Sequence, residues 1–240
     1  MRYLHVFLIL FLFANFAYSE IHRDNHTSDT IESLVQFASL SWTFSFENCH
    51  ESANLYKESF IQSIKRGLTR LNVINPQLTG AILQSMLNRP LEVSCEHQVS
   101  QKADVSTHLY KNRIDVLKIL EKVKNLRLAE IGFFHEFLHI HRVDNLSKKK
   151  HNALGQNVQN RLEDAVYACQ TATYPFLDIY LNSKPVEEIE KTYNLMCQAC
   201  ALVRKNKHHG KTYFSRNQDE IALAVETCNN IDTEYFRDNF

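Results

Sequence analysis

Apolar residues recur at three- and four-residue spacing over most of the chain, and that spacing predicts helices. Ser28-Asp29 is placed to cap a helix to about Ser39, with Ile31, Leu34, Val35 and Ala38 on one face. A second helical pattern runs from Glu51 to Leu71 through Ala53, Leu55, Tyr56, Phe60, Ile64, Leu68 and Leu71. Asn75-Pro76 opens a third, with proline early, where its missing N–H costs nothing, and Arg89-Pro90 ends it after Leu87. The period then shortens. Leu91–Cys95 reads as a strand, and Thr107–Tyr110 and Ile114–Leu117 read as two more joined by Lys111-Asn112-Arg113, although 114–123 also fits a helical period. Leu126–His141 is a long apolar helix pattern, and Asp144–Gln159 is a polar loop. Helical patterns resume over 158–171, 186–204 and 217–228. The order of elements predicts an α+β fold dominated by helices, with a small sheet followed by one buried helix.

The N-terminus predicts export. Arg2 is followed by a nearly unbroken apolar run from Val6 to Phe16, and then by the small residues Ala17 and Ser19 around Tyr18. The run is too short to span a bilayer, so residues 1–19 read as a signal peptide and the mature protein as secreted or periplasmic, without a membrane segment. Residues 20–240 are then one domain, with helical N-terminal (20–90) and C-terminal (171–240) parts flanking the sheet and buried helix. Regular helices and Cys49 favour 20–90 as core rather than a prodomain.

Charge narrows the partners. With 27 basic and 27 acidic residues the net charge is zero, which gives no electrostatic case for nucleic acid or an anionic membrane; Lys148-Lys149-Lys150 reads as a solvated loop. Six cysteines, Cys49, Cys95, Cys169, Cys197, Cys200 and Cys228, suggest up to three disulfides in an exported chain, with 15 possible pairings. Cys197 and Cys200 form a C-x-x-C, for which disulfides to Cys169, Cys228 or others are favoured over structural zinc with His208 and His209. Five glycines and four prolines argue against a loop-built scaffold.

The buried helix pattern contains His135-Glu136-Phe137-Leu138-His139, an H-E-x-x-H. Four residues apart on a helix, both imidazoles face one way and can reach a single Zn²⁺ at about 2.0–2.1 Å. Glu136 is offset from that pair and can take the proton of a water at such an ion. Phe133, Phe134, Phe137, Leu138 and Ile140 surround these three polar groups, whose burial without partners is costly. A catalytic zinc needs a third protein ligand and one open position. His141 points to another helix face. Asp144 lies just past the helix end, and His151 lies in the polar loop. Asp164 precedes Tyr167 by one helical turn, where the carboxylate can ligate and the phenol can donate to an oxyanion.

On these residues the chain resembles the aspzincin metalloendopeptidases, the deuterolysin-like and lysine-specific group, over roughly 110–170. That group joins HExxH to a downstream G-T-x-D-x-x-Y-G. Asp164 and Tyr167 match its D-x-x-Y core, while Arg161-Leu162 stand in the Gly-Thr places and Ala168 in the final Gly place. The resemblance implies a zincin-like fold, one catalytic Zn²⁺ and hydrolysis of a peptide or protein substrate. His135, His139 and Asp164 would be ligands (alternatives Asp144 and His151), Glu136 the general base and Tyr167 the oxyanion partner. Another zinc-protease group takes its third ligand six residues after the second histidine, past a glycine turn; here those places hold Asn145 and Arg142. An edge strand ahead of the helix is expected to hold substrate backbone by β-addition. The competing expectation is a non-catalytic zinc-binding or disulfide-stapled interaction protein.

Overall fold

In a computed structural model the chain is described over residues 27–46, 53–95, 106–108, 112–116, 126–146, 150–151, 158–178, 181, 183–206 and 210–231. Residues 1–19, expected to be a signal peptide, Cys49, Lys148-Lys149 and His208-His209 lie outside the described residues. The elements are α1 (Thr27–Ser39), β1 (Thr43–Ser45), α2 (Ala53–Ile74), α3 (Pro76–Leu87), β2 (Glu92–Ser94), β3 (Ser106–His108), β4 (Arg113–Asp115), α4 (Leu126–Ile140), α5 (Val158–Leu162), α6 (Ala165–Thr173), α7 (Val186–Ala201), β5 (Val203–Lys205), β6 (Thr212–Phe214) and α8 (Gln218–Asn230). The fold is α+β and helix-dominated.

The main sheet has strand order β1-β2-β4-β3. β1, β2 and β4 run parallel, with Phe44, Val93 and Ile114 in register, and β3 pairs antiparallel to β4 with Thr107 opposite Ile114. Helix α4 packs on β3, β4, α2 and α6. Strand β1 and the β5–β6 hairpin are additions to the sequence reading. Three-residue strands are too short to show a period of two, and Val203–Lys205 continues the apolar spacing of α7.

The helix expected over 158–171 breaks into α5 and α6 at Asp164, whose φ and ψ are −114° and 120°. Its carboxylate accepts from the N–H groups of Val166 and Tyr167, so Asp164 starts a new helix instead of continuing the old one. Asn75 caps α3 by accepting from Leu78 N–H. Its amide also donates to the carbonyls of Cys200 and Val203, which satisfies the end of α7 and ties the first ninety residues to the last fifty.

Helix α4 presses its phenylalanine face into the core. Phe133 lies 5.5 Å from Phe60 and Phe137 lies 6.1 Å from Trp42, centroid to centroid, and Phe134 lies 5.7 Å from Tyr174. Burying these three rings contributes roughly 2–3 kcal/mol each. Arg66 of α2 pairs with both oxygens of Glu130, and burial still leaves that carboxyl above its ordinary range. The two helices approach closely because residue 67 has no side chain: a Cβ there would lie 2.3 Å from the Phe134 ring. Two disulfides fasten the other side. Cys169 of α6 bonds Cys200, and Cys228 of α8 bonds Cys197, so the C-x-x-C of α7 reaches two neighbouring helices. Each spans 31 residues, for which loop-closure entropy contributes about 3–4 kcal/mol. Cys95 is also disulfide-bonded.

Gly67→Ala should destabilise the chain by about 2 kcal/mol, lowering the melting temperature by roughly 5 °C, because a fully buried ring must move. Thermal unfolding followed by circular dichroism checks this; an unchanged melting temperature would show that the α2–α4 contact is slack.

Candidate metal centre

His135 and His139 stand on the half-buried face of α4, opposite the phenylalanines, and His151 reaches them from the following segment, where Lys150 and His151 have helical backbone. The Nε2 atoms of the three rings converge: 3.0 Å from His135 to His139, and 3.2 Å from His151 to each. Each Nδ1 points the other way, onto an oxygen. His139 Nδ1 donates to Asp144 Oδ1, His151 Nδ1 donates to Asp164 Oδ2 at 2.9 Å, and His135 Nδ1 donates to Gln170 Oε1 at 2.5 Å. Carboxylates only accept, so the nitrogens facing them carry the hydrogens. The Nε2 atoms of His139 and His151 are thereby left as bare lone pairs, and the Nε2 of His135, whose Nδ1 faces Gln170 Oε1, is turned on the same point.

That arrangement is unfavourable unless a cation occupies the point, since one proton can bridge two nitrogens but not three. Tetrahedral ligation at about 2.1 Å separates ligand atoms by about 3.4 Å. The observed spacings lie just below this, so the three residues fit a first-row divalent ion. The outer oxygens are the partners that metal-bound histidines require.

The structure brings His135, His139 and His151 together and sets Asp164 and Asp144 behind them. Asp164 does not join the three ligand atoms because both its oxygens are committed, one to the start of α6 and one to His151. Asp144 is turned back onto His139 by a tight helix end. Arg142 N–H donates to His139 O, Val143 N–H to Leu138 O, and Arg142 itself takes a positive φ of 56°. The turn associated with glycine is thus made by an exposed arginine, at a strain of about 1 kcal/mol. Asn145 goes elsewhere, donating to Glu163 O and accepting from Ala165 N–H. His141 is buried away from the centre against Ser85 and Phe137, and burial pushes it down to about 3, so it is neutral.

Glu136 is 8% exposed, and its charge is felt by both His139 and Tyr167. The Tyr167 ring stacks on His151 at 4.6 Å and lies 5.0 Å from His135, with the Arg161 guanidinium 4.9 Å above it. Burial raises the Tyr167 phenol, so it is a donor at neutral pH. Burial and the neighbouring histidines hold His135 well below its ordinary range. Burial also opposes charge on His139, but the hydrogen bond to Asp144 and the nearby Glu136 outweigh it and raise that ring. Burial alone would raise Asp164; the hydrogen bonds it accepts from His151 and from the Tyr167 N–H help to keep the carboxyl low.

Sequence reasoning does not reach Gln170, Asp178 or Arg161. Gln170 donates its amide N–H to Asp178 Oδ2, which also accepts from Thr171 and from Arg161. The available signal was a glutamine three residues past Tyr167 in an otherwise apolar run. Compared with protein-family models, curated proteins and solved structures, the chain matches none. What the centre can do is therefore read from its geometry.

Asp164→Ala should cost the metal-free chain about 2–3 kcal/mol, and Asp164→Ser about 1 kcal/mol. Serine keeps the cap on α6 but does not reach His151. Urea unfolding of both variants tests this; equal losses would mean that the His151 contact contributes nothing.

Proposed function

We propose that the chain is an exported zinc-dependent metalloendopeptidase whose ligands are His135, His139 and His151. The observation that carries the reading is the convergence of three bare Nε2 atoms, each ring oriented from behind, beside an acid and a phenol. Three protein ligands among the described residues match catalytic zinc centres, which keep a fourth position for water or substrate. Bound there, Zn²⁺ would supply Lewis acidity to the scissile carbonyl.

The chain's own residues supply the rest. Glu136 follows His135 on α4 and takes the proton of the attacking water, then passes it to the leaving amine. Tyr167, stacked on His151, donates its O–H to the oxyanion of the tetrahedral intermediate. Strand β3 is an edge of the sheet among the described residues and packs on α4, which favours its outer backbone as the pairing site for an extended peptide. Asp164, the aspzincin ligand by resemblance, takes the role of orienting His151 instead. The likeness to zincins then rests on the HExxH helix and the mixed sheet ahead of it, with a histidine completing the ligand set. Two disulfides indicate maturation in an oxidising compartment, and no helix among the described residues is long and apolar enough to cross a membrane.

The oxidised chain should bind one equivalent of zinc, and His151→Ala should abolish that binding. All three imidazoles must be neutral to ligate, so affinity should fall with falling pH from the point where His139, raised above its ordinary range, takes up a proton. Glu136→Gln should keep the zinc and lose peptide hydrolysis by about a hundredfold or more. Zinc content by mass spectrometry and cleavage of a denatured protein substrate provide the readouts. Wild-type cleavage by Glu136→Gln would rule out the mechanism, and a chain that never takes up zinc would rule out the centre. Zinc uptake without cleavage by wild type would leave a metal-binding protein on this scaffold.

A further inference from the structure

Two of the three histidines are oriented by carboxylates, which leave no choice of tautomer. His135 is different. It faces an amide, and an amide can present either its oxygen or its NH₂ group by a half-turn of its last bond. Presented with NH₂, His135 would accept at Nδ1 and carry its hydrogen on Nε2, the atom aimed at the other two histidines. The centre would then lose a ligand without losing a residue.

We propose that Gln170 and Asp178 are positioning residues for the metal centre: Asp178 fixes the orientation of the Gln170 amide, which in turn fixes the ring nitrogen of His135 left bare. The proposal rests on the reading of His135, His139 and His151 as ligands. Asp178 is 1% exposed and is surrounded by donors. Arg161 gives hydrogen bonds to both its oxygens, at 2.9 and 2.8 Å, and Thr171 Oγ donates at 2.8 Å. Oδ2 also meets the Gln170 amide at 2.9 Å, and a carboxylate can only accept there. Gln170 therefore turns its NH₂ to Asp178 and its Oε1 to His135. With the oxygen there, Nδ1 of His135 must donate and Nε2 is bare. A flipped amide would set two acceptors against each other at Asp178 and would move the hydrogen of His135 onto Nε2.

The arrangement is held from three sides. Arg161 ends α5, Gln170 and Thr171 lie on α6, and Asp178 lies in the turn beyond it. Cys169, beside Gln170, is fastened to α7 by its disulfide. Arg161 also covers the Tyr167 ring, so one ion pair steadies both a ligand's orientation and the phenol beside it.

The test reads the tautomer directly, in metal-free protein, by ¹⁵N–¹H correlation of the imidazole rings at about pH 8, where histidines are neutral. In the oxidised wild-type chain His135 should carry its hydrogen on Nδ1. Gln170→Met, similar in size and without hydrogen bonds, should lose that preference and bind zinc roughly ten- to a hundredfold more weakly in competition with a chromophoric chelator. Gln170→Glu should restore the tautomer, because a carboxyl oxygen facing Nδ1 can only accept its hydrogen. A wild-type His135 with its hydrogen on Nε2 overturns the proposal even if Gln170→Met does not fold. Unchanged tautomer and zinc affinity in a folded Gln170→Met also overturn it. A wild type with the Nδ1 hydrogen that nevertheless takes up no zinc overturns the metal reading and leaves the tautomer relay standing.

Discussion

The contact between Phe134 of α4 and the bare backbone of Gly67 on α2 sets the position from which the centre is built. A helix carrying His135, Glu136 and His139 among bulky apolar residues has two demands. Its phenylalanines need a dry partner, and its polar face needs counterparts that water no longer provides. Pressing α4 onto α2 meets the first demand and fixes the rotation of the helix. With that rotation fixed, the histidines can only look toward α6 and the segment bearing His151. The second demand is met in part by an oxygen behind each ring, while the three Nε2 atoms share one focus.

The elements around the centre are each fastened by something that also serves another purpose. Asp164 caps α6 with one oxygen and orients His151 with the other, so the start of a helix and the aim of a ligand are a single event. The left-handed turn at Arg142 ends α4 and carries Asp144 back to His139. The Cys169–Cys200 bridge ties α6 to α7 next to Gln170. Such sharing makes the centre rigid, because no outer partner can relax without disturbing packing elsewhere. Preorganisation of this kind holds the three histidines and their partners in one geometry.

Much of this is legible in the sequence, and the limits have physical causes. The long helices and the HExxH face follow from spacing of three and four, and Asn75-Pro76 marks a helix start without ambiguity. The break at Asp164 is harder to see. Aspartate inside an apolar periodic run reads as a surface residue of one helix until its carboxylate is found on the N–H groups ahead of it. The place of His151 depends on a polar loop folding back, which no periodicity encodes, whereas Asp164 and Tyr167 at i and i+3 present a visible local pattern. Local spacing therefore points first to Asp164, and the tertiary path brings His151 in front of it. Gln170 and Asp178 are less visible still, since a glutamine and a turn aspartate carry no motif.

The difference between the three outer partners has a consequence for charge. Asp144, Asp164 and Glu136 already place three acidic groups around one ion position. A fourth carboxylate against His135 would add repulsion among them. An amide orients the ring without adding charge. The charge that orients the amide sits one residue farther out, on Asp178, where Arg161 neutralises it. The centre thus fixes all three imidazoles without adding a fourth carboxylate beside Glu136.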